Sequence, residues 1–195
     1  MPQAMQHAAQ HTAQHAAPYT TTYSSPLGPL TLASNGNSLL ALWLDGQKYF
    51  GEGTPPRLQQ NHSLPLFAQV TAWLDAYFAG QNPAASQLPL APQGSAFRQA
   101  VWELLTQIPY GQVTTYGALA RQMEAKLGIP KMACQAVGGA VGHNPISIII
   151  PCHRVVGTNG SLTGYGGGLK RKLQLLQLEG VDTSQFSIPT KGTAL

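Results

Sequence analysis

The chain has 195 residues, 43% hydrophobic and 9% charged, enough to bury a core of its own without disulfides or a structural metal. Its two cysteines, Cys134 and Cys152, fit no disulfide or zinc spacing, and no leader peptide or run of about 18 apolar residues occurs, so the reading is a cytoplasmic chain that takes no membrane partner. The net charge of +4 is uneven: residues 1–93 carry two basic and three acidic side chains, residues 94–195 nine and four, which suits a polyanion meeting the second half.

Residues 1–17 are an Ala/Gln/His tract in which His7, His11 and His15 fall four apart. On a helix they would form one stripe able to hold a metal, but nothing there can pack, so a disordered tail is expected and no metal site. From Tyr19 to Leu44 the stretches YTTTYSS, PLTLAS and SLLALWL predict a small antiparallel sheet, with Asn35-Gly36 supplying a tight turn. Between Pro65 and Gly80, Leu66, Phe67, Val70, Trp73, Leu74, Tyr77 and Phe78 follow helical spacing, and that helix should cover the sheet. The uncharged, proline-rich stretch 81–94 predicts a domain boundary, giving an N-terminal α/β domain over 18–93 and a second domain over 94–182, then a tail over 183–195.

In the second half, Ser95 caps a helix with an apolar face of Phe97, Val101, Leu104, Leu105 and Ile108 that stops at Pro109-Tyr110-Gly111. TTYGALARQM, capped by Thr115, and KMACQAVGGAVGHN predict the two helices of a helix-turn-helix. The second is nearly stripped of side-chain bulk by Ala133, Ala136, Gly138, Gly139, Ala140 and Gly142, although each glycine costs about 1 kcal/mol of helix stability. Two uses fit equally: tight packing against a neighbour, or close approach to a DNA backbone. Ser147 to Ile150 reads as a short buried strand ended by Pro151, followed by a glycine-rich loop over 157–168 and a last amphipathic helix that Gly180 ends. The fold class is therefore α/β in the α+β sense: a small antiparallel sheet with a helix, then a mainly helical domain with a helix-turn-helix and a short active-site strand.

Chemistry is expected where that strand meets the loop. Ile-Pro-Cys-His-Arg-Val sets Cys152 beside His153 and Arg154, and a thiol next to an imidazole and a guanidinium can ionise near neutral pH into the thiolate that attacks carbon. A lone buried cysteine is more often inert packing, so the octet PCHRVVGT carries more information than the pair.

IPCHRVVG resembles the active-site motif of the O6-alkylguanine-DNA alkyltransferases, also called methylated-DNA-protein cysteine methyltransferases. The resemblance extends in order through AVWELLTQIPYGQVTTYGALA, AVGGAVGHNP, PCHRVV, TGYGGGLKRK and LLQLEG, spanning residues 95–180; the N-terminal part matches in size and pattern only. It implies a single-turnover DNA repair protein that moves the alkyl group of O6-alkylguanine, and of O4-alkylthymine if that is accepted, onto Cys152. Its partner would be double-stranded DNA carrying that lesion, the protein acting as a monomer without cofactor or metal. By the same resemblance His153 is linked to the thiol through water and to Glu179, Asn144 is the hinge tying recognition helix to active-site turn, and Tyr116 rotates the nucleotide out and then hydrogen-bonds the departing base. Pro151, the Val155 carbonyl, Tyr165 and Gly166 would line the base pocket. Tyr116, Ala133, Gln135, Gly138, Gly139 and Thr158 would face DNA through its backbone and minor groove.

Two positions depart from the family pattern. Gln135 stands where many members place an arginine that fills the gap left by the flipped base, which predicts weaker DNA affinity or slower flipping. Gly166 stands where others have a serine, which predicts a wider pocket admitting larger alkyl groups. Three other functions compete: a lesion-binding module that signals to other repair pathways, against which Cys152 itself argues; transcriptional control, for which residues 1–93 lack a sensor cysteine; and a cysteine hydrolase, which would turn over repeatedly.

Overall fold

The structure, a computed structural model, describes residues 18–55 and 57–188, so the His7/His11/His15 stripe and residues 189–195 of the expected C-terminal tail lie outside the described residues. Three strands open the chain, β1 (Tyr19–Ser25), β2 (Gly28–Ser34) and β3 (Leu39–Leu44), joined antiparallel in sequence order, and β4 (Gln59–Gln60) adds parallel to the far side of β1. The β2–β3 turn runs over 35–38: Gly36 takes φ +102°, and the Asn35 side chain accepts from the amides of Asn37 and Ser38. Helix α1 (Pro65–Phe78) buries Leu66, Phe67, Val70, Trp73, Leu74 and Tyr77, the expected apolar set apart from Phe78, which is half-buried.

Every residue of β3 is buried, which accounts for its unbroken apolar run where a half-exposed strand would alternate. Its outer edge is occupied twice. Leu39 exchanges backbone hydrogen bonds with Pro89 and Ala91 at 2.8 Å, and Leu42 with Pro145 and Ser147 at 2.9 Å. The proline-rich segment read as a linker is thus laid along the sheet, with Leu88 buried, because prolines can still present carbonyls to a strand edge. A single hydrophobic cluster runs from Leu30 and Trp73 through Trp102 and Val137 to Leu175, so the two halves share one core.

The second half carries α2 (Ala96–Thr106), α3 (Tyr116–Leu127), α4 (Cys134–Gly142) and α5 (Leu169–Leu178). Ser95 and Thr115 cap α2 and α3 as the sequence suggests, their hydroxyls accepting from the amides of Arg98 at 3.3 Å and Ala118 at 3.1 Å. α3 and α4 pack on each other and on α2 as the helix-turn-helix pair, and Trp102 of α2 donates its indole N–H to the Ala140 carbonyl at 2.9 Å.

One element differs. Ser147 to Ile150 is buried but not a strand: only Ile146 bridges to Leu42, and the chain then coils through compact turns with Ile148 at φ +72°. The apolar run reflects burial on all sides, which a strand and a buried turn share. The strand of the site follows the cysteine instead: Cys152–Arg154 form a 3-10 turn, and β6 (Val155–Val156) pairs parallel with β5 (Thr114–Thr115) at the start of α3.

Candidate active site

Cys152 is 6% exposed at the head of its 3-10 turn, enclosed by the turns before it and by α5. Asn144, two residues beyond α4, reaches across this enclosure. Its side-chain amide donates to the Ile150 carbonyl at 2.8 Å and approaches Cys152 Sγ at 3.0 Å, while its oxygen accepts from the Ile146 amide at 3.0 Å. One side chain thereby fixes the end of the recognition helix, the coiled turn and the sulfur.

Behind the thiol lies a buried charge network centred on Glu179. Its carboxylate receives Tyr77 OH at 2.7 Å, the His153 Nε2 hydrogen at 2.7 Å, Arg154 Nε and Nη2 at 2.8 and 3.0 Å, and the Gly111 amide at 3.3 Å. Burial works to raise the carboxyl pKa, but the hydrogen bonds from His153 and Arg154 outweigh it and bring Glu179 down to about 2. An ionised carboxylate can only accept, so the proton shared with His153 sits on Nε2 and Nδ1 is left as an acceptor. Burial keeps that imidazole neutral, and Nδ1 has no partner among the described residues.

The surroundings of the thiol differ from the sequence expectation. Arg154 does not face the sulfur: its guanidinium is spent on Glu179 and on the Ile108 carbonyl at 2.6 Å. The positive charge acting on Cys152 comes from Lys172 of α5, which is fully buried and donates to the carbonyls of Val155 and Thr163 at 2.5 and 2.7 Å. Burial lowers Lys172 to about 8, opposed by the thiolate charge. Burial also raises the Cys152 pKa, against the Asn144 contact and the Lys172 charge, so the resting group is a thiol and not the thiolate predicted from its sequence neighbours. A buried sulfur loses more from desolvation than these neighbours return. Among the described residues no three His, Cys, Asp or Glu side chains converge in a way that could hold a metal ion.

Tyr116 opens α3 with its ring beside Gly138, and its hydroxyl donates to the Thr163 carbonyl at 3.0 Å. A β-carbon at Gly164 would lie 2.5 Å from that hydroxyl, so glycine there is what admits the tyrosine. Burial first, and then the nearby Cys152 charge, raise the phenol pKa, leaving it a donor at any neutral pH. Tyr165 is buried with its ring edge-on to His153 at 6.5 Å and its hydroxyl without a partner among the described residues. Gly166 directs its missing side chain toward the carbonyls of Gly142 and Lys48, each 3.6 Å from an ideal β-carbon, so a serine would fit there at ordinary contact distance. Pro151 is buried and also lines a separate cleft of about 550 Å³ with Tyr77, Tyr110 and Arg154; that cleft lies behind the network and does not include the thiol.

The small residues of α4 divide between a buried face and an exposed one. Val137, Ala140 and Val141 are buried against the neighbouring helices, while Ala133, Cys134, Gln135, Ala136 and Gly139 are exposed. Thr158 is exposed in the loop after β6. Sequence reasoning missed Lys172 and Tyr77 and misplaced Arg154. No local signal marked the first two, because LKRK at a helix start reads as solvated charge and Tyr77 reads as one more apolar-face aromatic.

A concealed cysteine held by a helix-turn-helix hinge and backed by a neutral histidine and an ionised glutamate defines a DNA-binding protein with a nucleophilic thiol. Comparison with known proteins makes this specific. The 6-O-methylguanine DNA methyltransferase DNA-binding domain matches residues 96–181, and the ribonuclease-like domain of the same proteins matches residues 19–92. The chain is 45% identical over 157 residues to a methylated-DNA–protein-cysteine methyltransferase of Haemophilus influenzae, covering 80% of this chain and 83% of that protein. It is 47% identical over 156 residues to the one of Mycobacterium leprae, covering 80% and 88%. The crystal structure of Mycobacterium tuberculosis OGT in complex with DNA superposes with a TM-score of 0.73 at 41% identity, covering 86% of this chain and 94% of that one. The chain belongs to the methylated-DNA–protein-cysteine methyltransferase family.

Proposed function

We propose that this protein repairs O6-alkylguanine in double-stranded DNA by transferring the alkyl group irreversibly to Cys152. The observation that carries the assignment is a shielded thiol followed in the chain by an imidazole whose Nε2–H is fixed by Glu179, which leaves Nδ1 without a partner among the described residues and able to take the thiol proton through a water. With the flipped nucleotide seated, the proton leaves Sγ through a bridging water for Nδ1, Glu179 stabilises the imidazolium, and sulfur attacks the alkyl carbon. The S–C bond forms as the C–O6 bond breaks, and guanine departs with the electron pair. Lys172 favours the transient thiolate, and Tyr116 gives up the Thr163 carbonyl to donate to the leaving base. The thiol proton ends on guanine. A thioether offers no hydrolysable bond, so each molecule acts once.

Support for DNA as partner comes from the helix-turn-helix and from the DNA complex of the mycobacterial relative. Gln135, Ala133, Gly138, Gly139 and Thr158 form the contact surface in this reading, and Val155, Tyr165, Gly166 and Pro151 the walls of the pocket. Residues 94–182 hold all the reacting groups, and residues 18–93 supply Tyr77 and the sheet that backs the site. The reading includes a monomer in the cytoplasm, where reducing conditions keep a free thiol ready; no helix among the described residues is long and apolar enough to cross a membrane. The test is a titration of a duplex carrying one O6-methylguanine with increasing protein, reading the remaining lesion by chromatography of the hydrolysed bases. Repair must rise linearly and stop at one lesion per protein molecule. Continued turnover would favour a hydrolase, and binding without loss of lesion would favour a lesion-recognition module.

A further inference from the structure

The loop after β3, residues 45–54, belongs to the N-terminal half but meets both walls of the thiol site. The Lys48 amide donates to the Gly166 carbonyl at 2.9 Å, next to Tyr165. Tyr49 lays its ring on His143 with centroids 3.9 Å apart and planes 20° from parallel. His143 directly precedes Asn144, the residue that holds the sulfur. The imidazole is held from its other sides as well: Nδ1 lies 2.7 Å from the Gly139 carbonyl, and Nε2 lies 3.7 Å from Glu52, whose other oxygen accepts from Arg98 of α2 at 2.9 Å. The carbonyls of Lys48 and Gly142 both lie 3.6 Å from where a β-carbon on Gly166 would stand.

Tyr49 adopts φ +63°, a left-handed conformation that a bulky side chain rarely takes and that persists where the surroundings over-determine it. The ring is still 37% exposed, so burial does not explain the conformation. In this conformation the ring lies on His143 while the preceding amide reaches Gly166, so the two contacts accompany the turn.

We propose that Tyr49 is a positioning residue for alkyl transfer: the loop 45–54 clamps His143 and Gly166 and so sets the relative placement of Asn144 with its sulfur and of the Tyr165 wall. This rests on the alkyltransferase reading for its kinetic consequence but not for its structural one. The thiol and the base pocket sit on different segments, 142–152 and 163–168, and the loop touches both, next to β3, whose Leu42 bonds Pro145 and Ser147 and whose Leu44 lies against Gly167. Loss of the ring frees His143 while leaving the outward side chains of α4, Gln135 among them, unchanged.

The test compares Tyr49→Ala and Tyr49→Phe with the wild type, because phenylalanine keeps the stack. Two quantities are read on the full chain: amide hydrogen exchange of residues 143–144 and 163–168 in the free protein, and the single-turnover rate of methyl transfer alongside duplex affinity. Tyr49→Ala is expected to speed exchange in both segments and to slow transfer roughly tenfold, a size that a small misplacement of reacting groups produces, with the dissociation constant for duplex changed less than twofold. Tyr49→Phe should restore both. Unchanged exchange overturns the clamp, and faster exchange with an unchanged rate overturns the positioning role. An alanine variant whose loss appears in duplex affinity and not in rate also overturns it. If the wild type transfers no methyl group, the alkyltransferase reading fails while the exchange result still decides the clamp.

Discussion

The turn that holds Cys152 and the helix α4 beside it solve opposite problems. Around the thiol, Glu179, His153, Arg154 and Lys172 are charged or ionisable groups buried together, each with protein partners at 2.5 to 3.0 Å. Along α4 the outward surface has almost no side chains at all, and its long polar group, Gln135, is exposed. Chemistry on a buried sulfur needs dipoles and charges fixed in advance, so that little reorganisation accompanies the proton transfer. Close approach to a duplex needs the reverse, a face with nothing to reorganise. Substitutions in the first region should therefore cost stability and rate together, and those in the second should change binding alone.

The largest expected effect is at the centre of the network. Glu179→Gln leaves Arg154 buried without its counter-charge and turns one of the two acceptor oxygens into a donor facing other donors, and it should cost about 3–5 kcal/mol of stability, as breaking one side of a buried pair does. Urea unfolding reads this directly; a loss below 1 kcal/mol would mean the network is not the structural centre described here. Lys172→Met comes next, since two carbonyls lose their shared donor, and about 1–3 kcal/mol is expected by the same measurement together with slower transfer.

Acid should expose the network selectively. Glu179 is depressed to about 2 in the folded chain against an ordinary 4.5, so its stabilising contribution is complete above pH 4.5 and is lost as the pH falls toward 2. His153 adds in the same direction from a higher pH: burial holds its pKa below the ordinary 6.5, so its contribution is complete above 6.5 and declines as the pH falls below that value. Thermal midpoints should fall across that window in the wild type and less steeply in Glu179→Gln; parallel curves would contradict this assignment.

Smaller effects belong to the exposed surface. Gln135→Arg should tighten duplex binding a few-fold and steepen the salt dependence by about 0.9 in log–log slope, with stability unchanged within about 0.5 kcal/mol. An unchanged salt slope would remove Gln135 from the DNA face. The smallest change expected is for Gly166→Ser, which adds one hydroxymethyl group at ordinary contact distance from Lys48 and Gly142. It should lower the ratio of benzyl to methyl transfer rates, and an unaltered ratio would show that this position does not set pocket width.

What could be read from the sequence followed the same division. Helix caps at Ser95 and Thr115, the apolar face of α1 and the bare surface of α4 depend on neighbours in the chain, and the structure has them where the pattern put them. Cys152 and His153 stood out through their adjacency after a buried run, whereas Glu179, remote in sequence, was found only through resemblance. Lys172, Tyr77 and the direction of Arg154 were hidden because a buried cation, a core tyrosine and a surface arginine look alike until tertiary contacts decide which is enclosed. The isoleucines before the cysteine misled for a related reason: continuous burial was visible, but the left-handed turn at Ile148 has no glycine to announce it.

The most direct test of Cys152 as acceptor is the mass of the protein after incubation with a duplex containing O6-methylguanine, followed by peptide mapping, with Cys152→Ala alongside. The account predicts a stoichiometric gain of about 14 Da, one methylene equivalent, on the peptide carrying Cys152 and none in the variant. A methyl group found on Cys134, or an unchanged mass while the lesion disappears from the DNA, would contradict it.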